Sequence, residues 1–401
     1  MQQIRLFLRQ TLRSIAFLPT LIAGAMVLLA VMHVFLFQDD WFQDSIWQRL
    51  ALADGDSART VLGAVIGGMF TLVIFTFTMV MSVVSRSIGN YSPRLLPVLL
   101  GERYHQVTMG FTLGTIAYAL VLFFGISSER SNLSAALGVS IVIVFVTVCL
   151  GLFVFFIHRI SKSIHVNYLI RYSYDNTLRL MDRYQKLRKH LDHDTDPPRL
   201  PVELRSHDLG YLGDVELSDL ADWCARHDRL LELAVAPGTF VARGAVLFRL
   251  DRSLTDRQER HLRRLVLVSA DEPLQVYEVG LKHLAEVAVK AMSPSLNDPG
   301  TALTALDYLT EAMRRLMEIE SANRFTKGGG TIHFHRFPAG AFLNELWMEM
   351  AEYYKHDPAL RSATRRAFRK LRTYADRLPQ TDWPLRMKAI QQRVFEIFLE
   401  R

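Results

Sequence analysis

The chain has 401 residues, half of them apolar and 22% charged, with a formal net charge of +7. That length excludes a small stapled domain, and two cysteines, Cys149 and Cys224, exclude a disulfide framework. The basic excess comes with no nucleic-acid motif, so nucleic acid is not the expected partner.

Four stretches without Asp, Glu, Lys or Arg crowd the first 159 residues: 14–38, 60–85, 104–128 and 131–158. A helix needs roughly 20 apolar residues to cross the hydrocarbon core. The runs therefore predict transmembrane helices at about 16–37, 61–84, 107–127 and 135–157, within a membrane domain of residues 1–159. After Arg159 the longest charge-free run is 10 residues, 233–242, so the remainder is expected in water. The first span reads as a retained helix. Its apolar segment is longer than a signal core, and Gln38-Asp39-Asp40-Trp41 offers no small-residue cleavage site.

Basic residues near the spans set the expected orientation. Arg5, Arg9 and Arg13 precede span one, Arg86, Arg94 and Arg103 lie between spans two and three, and Arg159, Lys162, Arg171 and Arg179 follow span four. The opposite loops hold only Arg49, Arg59 and Arg130. Both termini and the water-soluble part are thus expected on the cytoplasmic side of the membrane. The expected partners are the bilayer and its anionic head groups.

Span two differs from the others. It opens with Gly63, Gly67 and Gly68, and Gly67, Thr71, Thr78, Ser82 and Ser85 recur on one helical face. Small and hydroxylated residues let membrane helices approach closely, within one chain or between copies in a homo-oligomer. The same face can instead line a water-filled passage. In the loop that follows, Ser92 is a good N-cap, Pro93 suits the first helical position, and Arg94 reaches head groups from the membrane surface.

Residues 160–201 read as a helical extension of span four ending in a Pro-rich linker. Residues 202–251 read as a small β-barrel-like module, because Val235, Gly238, Val241, Gly244 and Leu247 recur every third residue, as in biotinyl and lipoyl carriers. No lysine lies between Lys189 and Lys282, which excludes covalent carriage. A short helix capped by Ser218 is expected inside the module. Residues 252–401 read as mainly helical, with Gly328-Gly329-Gly330 as a flexible joint before a strand at 331–337 and helices at about 339–354, 358–378 and 383–399. The expected class is a four-helix integral membrane domain followed by a cytoplasmic α+β domain.

Two segments carry a family resemblance: Tyr91-Ser92-Pro93-Arg94-Leu95-Leu96, and Ala291-Met292-Ser293-Pro294-Ser295-Leu296-Asn297-Asp298-Pro299-Gly300-Thr301-Ala302. In these motifs and in the order of its parts, the chain resembles a bacterial family of predicted membrane proteins catalogued as domain of unknown function 2254. Ser295 departs from an expected glycine, and Gly300 from an expected threonine. The resemblance implies an integral membrane protein and supplies no reaction.

Asn297-Asp298-Pro299 is the sharpest polar cluster of the soluble part. Asp298 before Pro299 reads as a helix cap, and the exposed helix start beside it as a candidate binding site. His333 and His335 would share one strand face, and His190, Asp192, His193 and Asp194 lie in a polar linker. Neither group nominates a full set of metal ligands. With no phosphate loop, nucleophile elbow or paired-cysteine site, neither enzyme nor cofactor is expected. Two functional classes remain: a homo-oligomeric channel or permeation protein gated or assembled by its cytoplasmic domain, and a membrane-tethered sensor or scaffold.

Overall fold

A computed structural model describes residues 17–36, 55–90, 103–125, 132–163, 166–192, 198–319, 322–335, 339–378 and 381–399. These form two compact units, the first carrying the apolar helices and the second running from Val166 onward.

The first unit contains α1 (Phe17–Leu36), α2 (Gly55–Asn90), α3 (Arg103–Gly125) and α4 (Asn132–Ser163). The stretches long and apolar enough to cross a membrane are Phe17–Phe35, Asp56–Ser85, Tyr104–Gly125 and Leu137–Ile160. Helices are the expected form here, because lipid offers no partner for a free backbone amide. Their directions alternate as successive crossings require. α1 runs parallel to α3, with Pro19 beside Gly110, Met26 beside Gly114 and Val34 beside Gly125. α2 runs parallel to α4: Leu62 clusters with Val139 and Val142, Met69 with Cys149, and Val83 with Phe156 and Ile160. α3 is antiparallel to α4, with His105 against Phe156 and Thr115 against Cys149.

The α1–α3 seam depends on glycine. A Cβ on Gly110 would lie 2.7 Å from Pro19 Cα, and one on Gly114 would overlap Met26 Sδ. Two glycines four residues apart present a flat backbone strip, and close helix approach replaces the hydrophobic drive that lipid removes.

The second unit holds two sheets. The strands β1 (Leu191–Asp192), β2 (Val202–Arg205), β4 (Leu231–Leu233), β6 (Val246–Leu250), β8 (Arg324–Lys327) and β9 (Gly330–Phe334) form one in the order β1-β8-β9-β4-β6-β2. β4 and β9 pair in parallel, and the other pairs are antiparallel. β3 (Gly210–Leu212), β5 (Phe240–Val241) and β7 (Val268–Ser269) form an antiparallel sheet in the order β5-β3-β7.

Among the described residues no closed barrel forms. The strands of 202–250 divide between the two sheets, and the larger sheet recruits β8 and β9 from some 80 residues downstream. The repeat read at every third residue reflects local turns, not closure: Gly238 and Gly244 adopt φ of +84° and +85°, a conformation glycine supplies without a Cβ clash.

α6 (Leu217–His227) covers the larger sheet with Leu217, Leu220, Ala221 and Cys224 buried. Glu216, not Ser218, takes its cap position, and no side chain caps it. The helix crosses β9 at Gly330, where a Cβ would overlap the Ala221 carbonyl oxygen. Gly328 and Gly329, with φ of +59° and +83°, form the two-residue turn of the β8–β9 hairpin. The expected flexible joint is therefore a defined turn whose two left-handed positions suit glycine.

A helical layer completes the unit: α5 (Val166–Gln185), α7 (Asp256–Arg263), α8 (Tyr277–Ala291), α9 (Pro299–Met317), α10 (Ala339–Tyr354), α11 (Pro358–Ala375) and α12 (Trp383–Ile397). α8 is antiparallel to α5, with Tyr277 against Tyr184 and Gly280 against Thr177. α9 then runs back parallel to α5, with Tyr308 against Tyr174 and Arg315 bonded to Asp182. The α8–α9 turn thus lies at the end of the layer where α5 begins. Glu318 gathers Arg314, Arg315 and the Tyr374 hydroxyl, and Arg315 also reaches Asp182, tying α5, α9 and α11 together.

Candidate functional site

The two faces of α2 are chemically distinct. Leu62, Met69, Thr76 and Val83 recur every seven residues and are buried against the other helices. Thr71, Thr78 and Ser85 each follow one of these positions by two residues, about 200° round the helix. Gly67 and Ser82 fall on the same far side. All five residues, Gly67, Thr71, Thr78, Ser82 and Ser85, are exposed and face away from the chain's own helices. A Cβ on Gly63, Gly67 or Gly68 would meet nothing within 4 Å.

The hydroxyls on this face do not demand a partner. Thr71 donates to the Gly67 carbonyl at 3.1 Å and Thr78 to the Ile74 carbonyl at 2.8 Å. Such back-bonding satisfies each donor within the helix and leaves oxygen lone pairs outward. The glycine motif that packs inside the chain is the one on α3, at Gly110 and Gly114. The four-residue spacing of those two glycines is the sequence signal for this seam.

Ser92, Pro93 and Arg94 lie outside the described residues. Asn297, Asp298 and Pro299 are brought together in the α8–α9 turn. Asn297 takes the left-handed conformation, φ +43°, and the Asp298 amide donates to the Ala291 carbonyl at 2.7 Å. Asp298 caps α9: Thr301 donates its backbone N–H to Oδ1 at 3.0 Å and its hydroxyl to Oδ2 at 2.6 Å. These bonds, the hydroxyl's foremost, hold the Asp298 carboxyl below its ordinary range. Both carboxylate oxygens are engaged in capping, and Pro299 lacks an N–H to offer a ligand.

Among the described residues no three His, Cys, Asp or Glu side chains gather as metal ligands. His335 bonds Glu232 at 2.7 Å, His333 is buried, and His190 bonds the Thr326 carbonyl.

A small apolar cavity of about 110 Å³ lies in the second unit, lined by Leu180, Val215, Leu217, Leu233, Val276 and Phe334 among others. Arg183 stands at its edge, bonded to Asp214 at 3.0 Å and to Glu216. Burial raises the Asp214 carboxyl despite that guanidinium. Five separate segments build this cavity, so no local motif announces it.

α11 carries a cationic face: Arg361, Arg365, Arg366, Arg369, Lys370 and Arg372. Arg361 and Arg365 lie over the rings of Phe398 and Phe395, and Arg372 reaches Gln391. Among the described residues none of the six is in an ion pair. By contrast Arg183, Arg249, Arg314, Arg315 and Arg324 all are.

Residues 12–370 match the family described as predicted membrane protein (DUF2254). Similar chains include the uncharacterized proteins MT1328 and Rv1290c of Mycobacterium tuberculosis and Mb1321c of Mycobacterium bovis. Each is 24% identical over 324 residues, a match covering 76% of this chain and 62% of the relative's length. No solved structure matches.

Proposed function

The chain belongs to the DUF2254 family of predicted membrane proteins, and from that premise we propose that its copies associate through the outward face of α2 and that the assembly passes a small solute across the cytoplasmic membrane. One observation carries the reading: the small, hydroxylated face of α2 is turned away from its own bundle, with open space above Gly63, Gly67 and Gly68. Glycine costs a helix about 0.5–1 kcal/mol relative to alanine. Close approach of a second helix offsets that cost, and lipid does not. The outward lone pairs of Thr71 and Thr78 would then line the space between copies. This reading assigns no catalytic step.

The bias of Arg and Lys supports a cytoplasmic position for both termini. The arginines of α11, none of them in an ion pair among the described residues, suit anionic lipid head groups as a partner.

The test uses full-length protein with Cys149 and Cys224 replaced by alanine. Thr71→Cys, oxidised in native membranes, is expected to give disulfide-linked dimers, whereas Met69→Cys on the inward face is not. Vesicles holding the protein are expected to release trapped small solutes faster than protein-free vesicles. Absence of both the dimer and the release would refute the reading.

A second reading rests on the apolar cavity behind Arg183: a membrane-tethered sensor of a small apolar ligand. It predicts a ligand-dependent rise in melting temperature without solute release.

A further inference from the structure

Span three conceals a polar face. His105, Thr108, Thr112, Thr115 and Tyr118 follow one another along α3 at steps of three or four residues, and all five are buried inside the membrane unit. Over 13 residues the row extends about 20 Å, most of the hydrocarbon thickness. A second imidazole prolongs it outward. His33 on α1 is 5% exposed, and its ring lies 6.4 Å from that of Tyr118.

The row is not an ordinary packing seam. Thr112 and Thr115 return their protons to the carbonyls of Thr108 and Phe111, which leaves their lone pairs inward. Thr115 Oγ1 also lies 3.4 Å from Cys149 Sγ on α4. The Thr108 hydroxyl, 2% exposed, and the Tyr118 hydroxyl, fully buried, find no protein partner among the described residues. An unpaired hydroxyl in hydrocarbon is costly, and water is the small molecule able to satisfy it there.

We propose that this face of α3, bracketed by His105 on the inner side and His33 on the outer, is a hydrated proton path through a single protomer. Water joins the side chains into a chain of donors and acceptors. At each hop one O–H or N–H bond forms as another breaks, so one proton leaves at the far face for each that enters, and nothing is oxidised. The row holds no fixed charge, so the path carries no counter-ion site for a metal cation. It lies inside one protomer and does not depend on association of copies through α2.

The test is proton entry into phosphatidylcholine vesicles holding the full-length protein, driven by a potassium diffusion potential and read by an internal pH dye. Flux is expected well above that of protein-free vesicles and constant per chain down to one chain per vesicle. Thr108→Val and Tyr118→Phe remove one hydroxyl each at nearly constant volume. Each is expected to lower the flux about tenfold, the factor given by one hydrogen bond of ordinary strength. Should either variant fail to fold, the other carries the comparison. Flux equal to that of protein-free vesicles overturns the proposal. So does undiminished flux in a folded variant, or flux that vanishes at one chain per vesicle.

Discussion

Gly280 and Thr177 meet so closely at the crossing of α8 and α5 that a Cβ on Gly280 would overlap Thr177 Oγ1. Thr177 cannot turn aside without cost, because its hydroxyl is buried and donates to the Ser173 carbonyl at 2.7 Å. Gly280→Ala is expected to destabilise the second unit by about 1–3 kcal/mol, the usual cost of overpacking. Denaturant unfolding of the full-length protein in detergent checks this. Gly280→Ala combined with Thr177→Ala should recover part of the loss, since the clashing oxygen is gone.

Glycines in the membrane unit should divide by what faces them. Gly114→Ala drives a methyl into Met26 and is expected to lower the melting temperature in detergent. Gly63→Ala enters open space within its own chain and gains helix propensity, so in detergent that separates the copies it is expected to leave the melting temperature unchanged or raised. Equal losses in the two variants would mean that α2 packs inside the chain after all.

The Asp298 cap should weaken in acid. Its folded carboxyl is held below the ordinary value by Thr301. Its contribution is therefore complete above the unfolded value, about 3.9, and disappears as pH falls through the lower folded value. Asp298→Ala is expected to cost about 1 kcal/mol at neutral pH. Asp298→Asn keeps an accepting oxygen and should lose little at neutral pH, while flattening the acid limb of a stability–pH curve below about pH 4.

The α11 face should sense lipid charge. In nanodiscs, replacing zwitterionic with anionic lipid is expected to raise the melting temperature of the wild type. Arg365→Gln with Arg369→Gln should remove most of that rise. High salt should remove it too, since exposed charges are screened over about 8 Å at physiological ionic strength. A rise that survives both treatments would place the lipid contact elsewhere.

The membrane helices were legible in the sequence because lipid leaves the chain little choice. A segment crossing hydrocarbon must be a closed helix with few charges, so Phe17–Phe35 and its three counterparts follow from composition. The cap at Asp298 was legible too, because capping is local. A helix expected at about 339–354 is found as α10, Ala339–Tyr354. What local pattern could not decide was which side of a uniformly apolar helix faces inward. Thr71 and Thr108 both lie in charge-free spans, yet one is exposed and the other buried. Nor could it pair β4 with β9 across some 100 residues, or assemble a cavity from five segments. Sequence determined which segments are long and apolar enough to cross a membrane, since that depends on each segment's own atoms. Facing, pairing and cavities depend on which remote surface arrives opposite, and only the tertiary structure decided them.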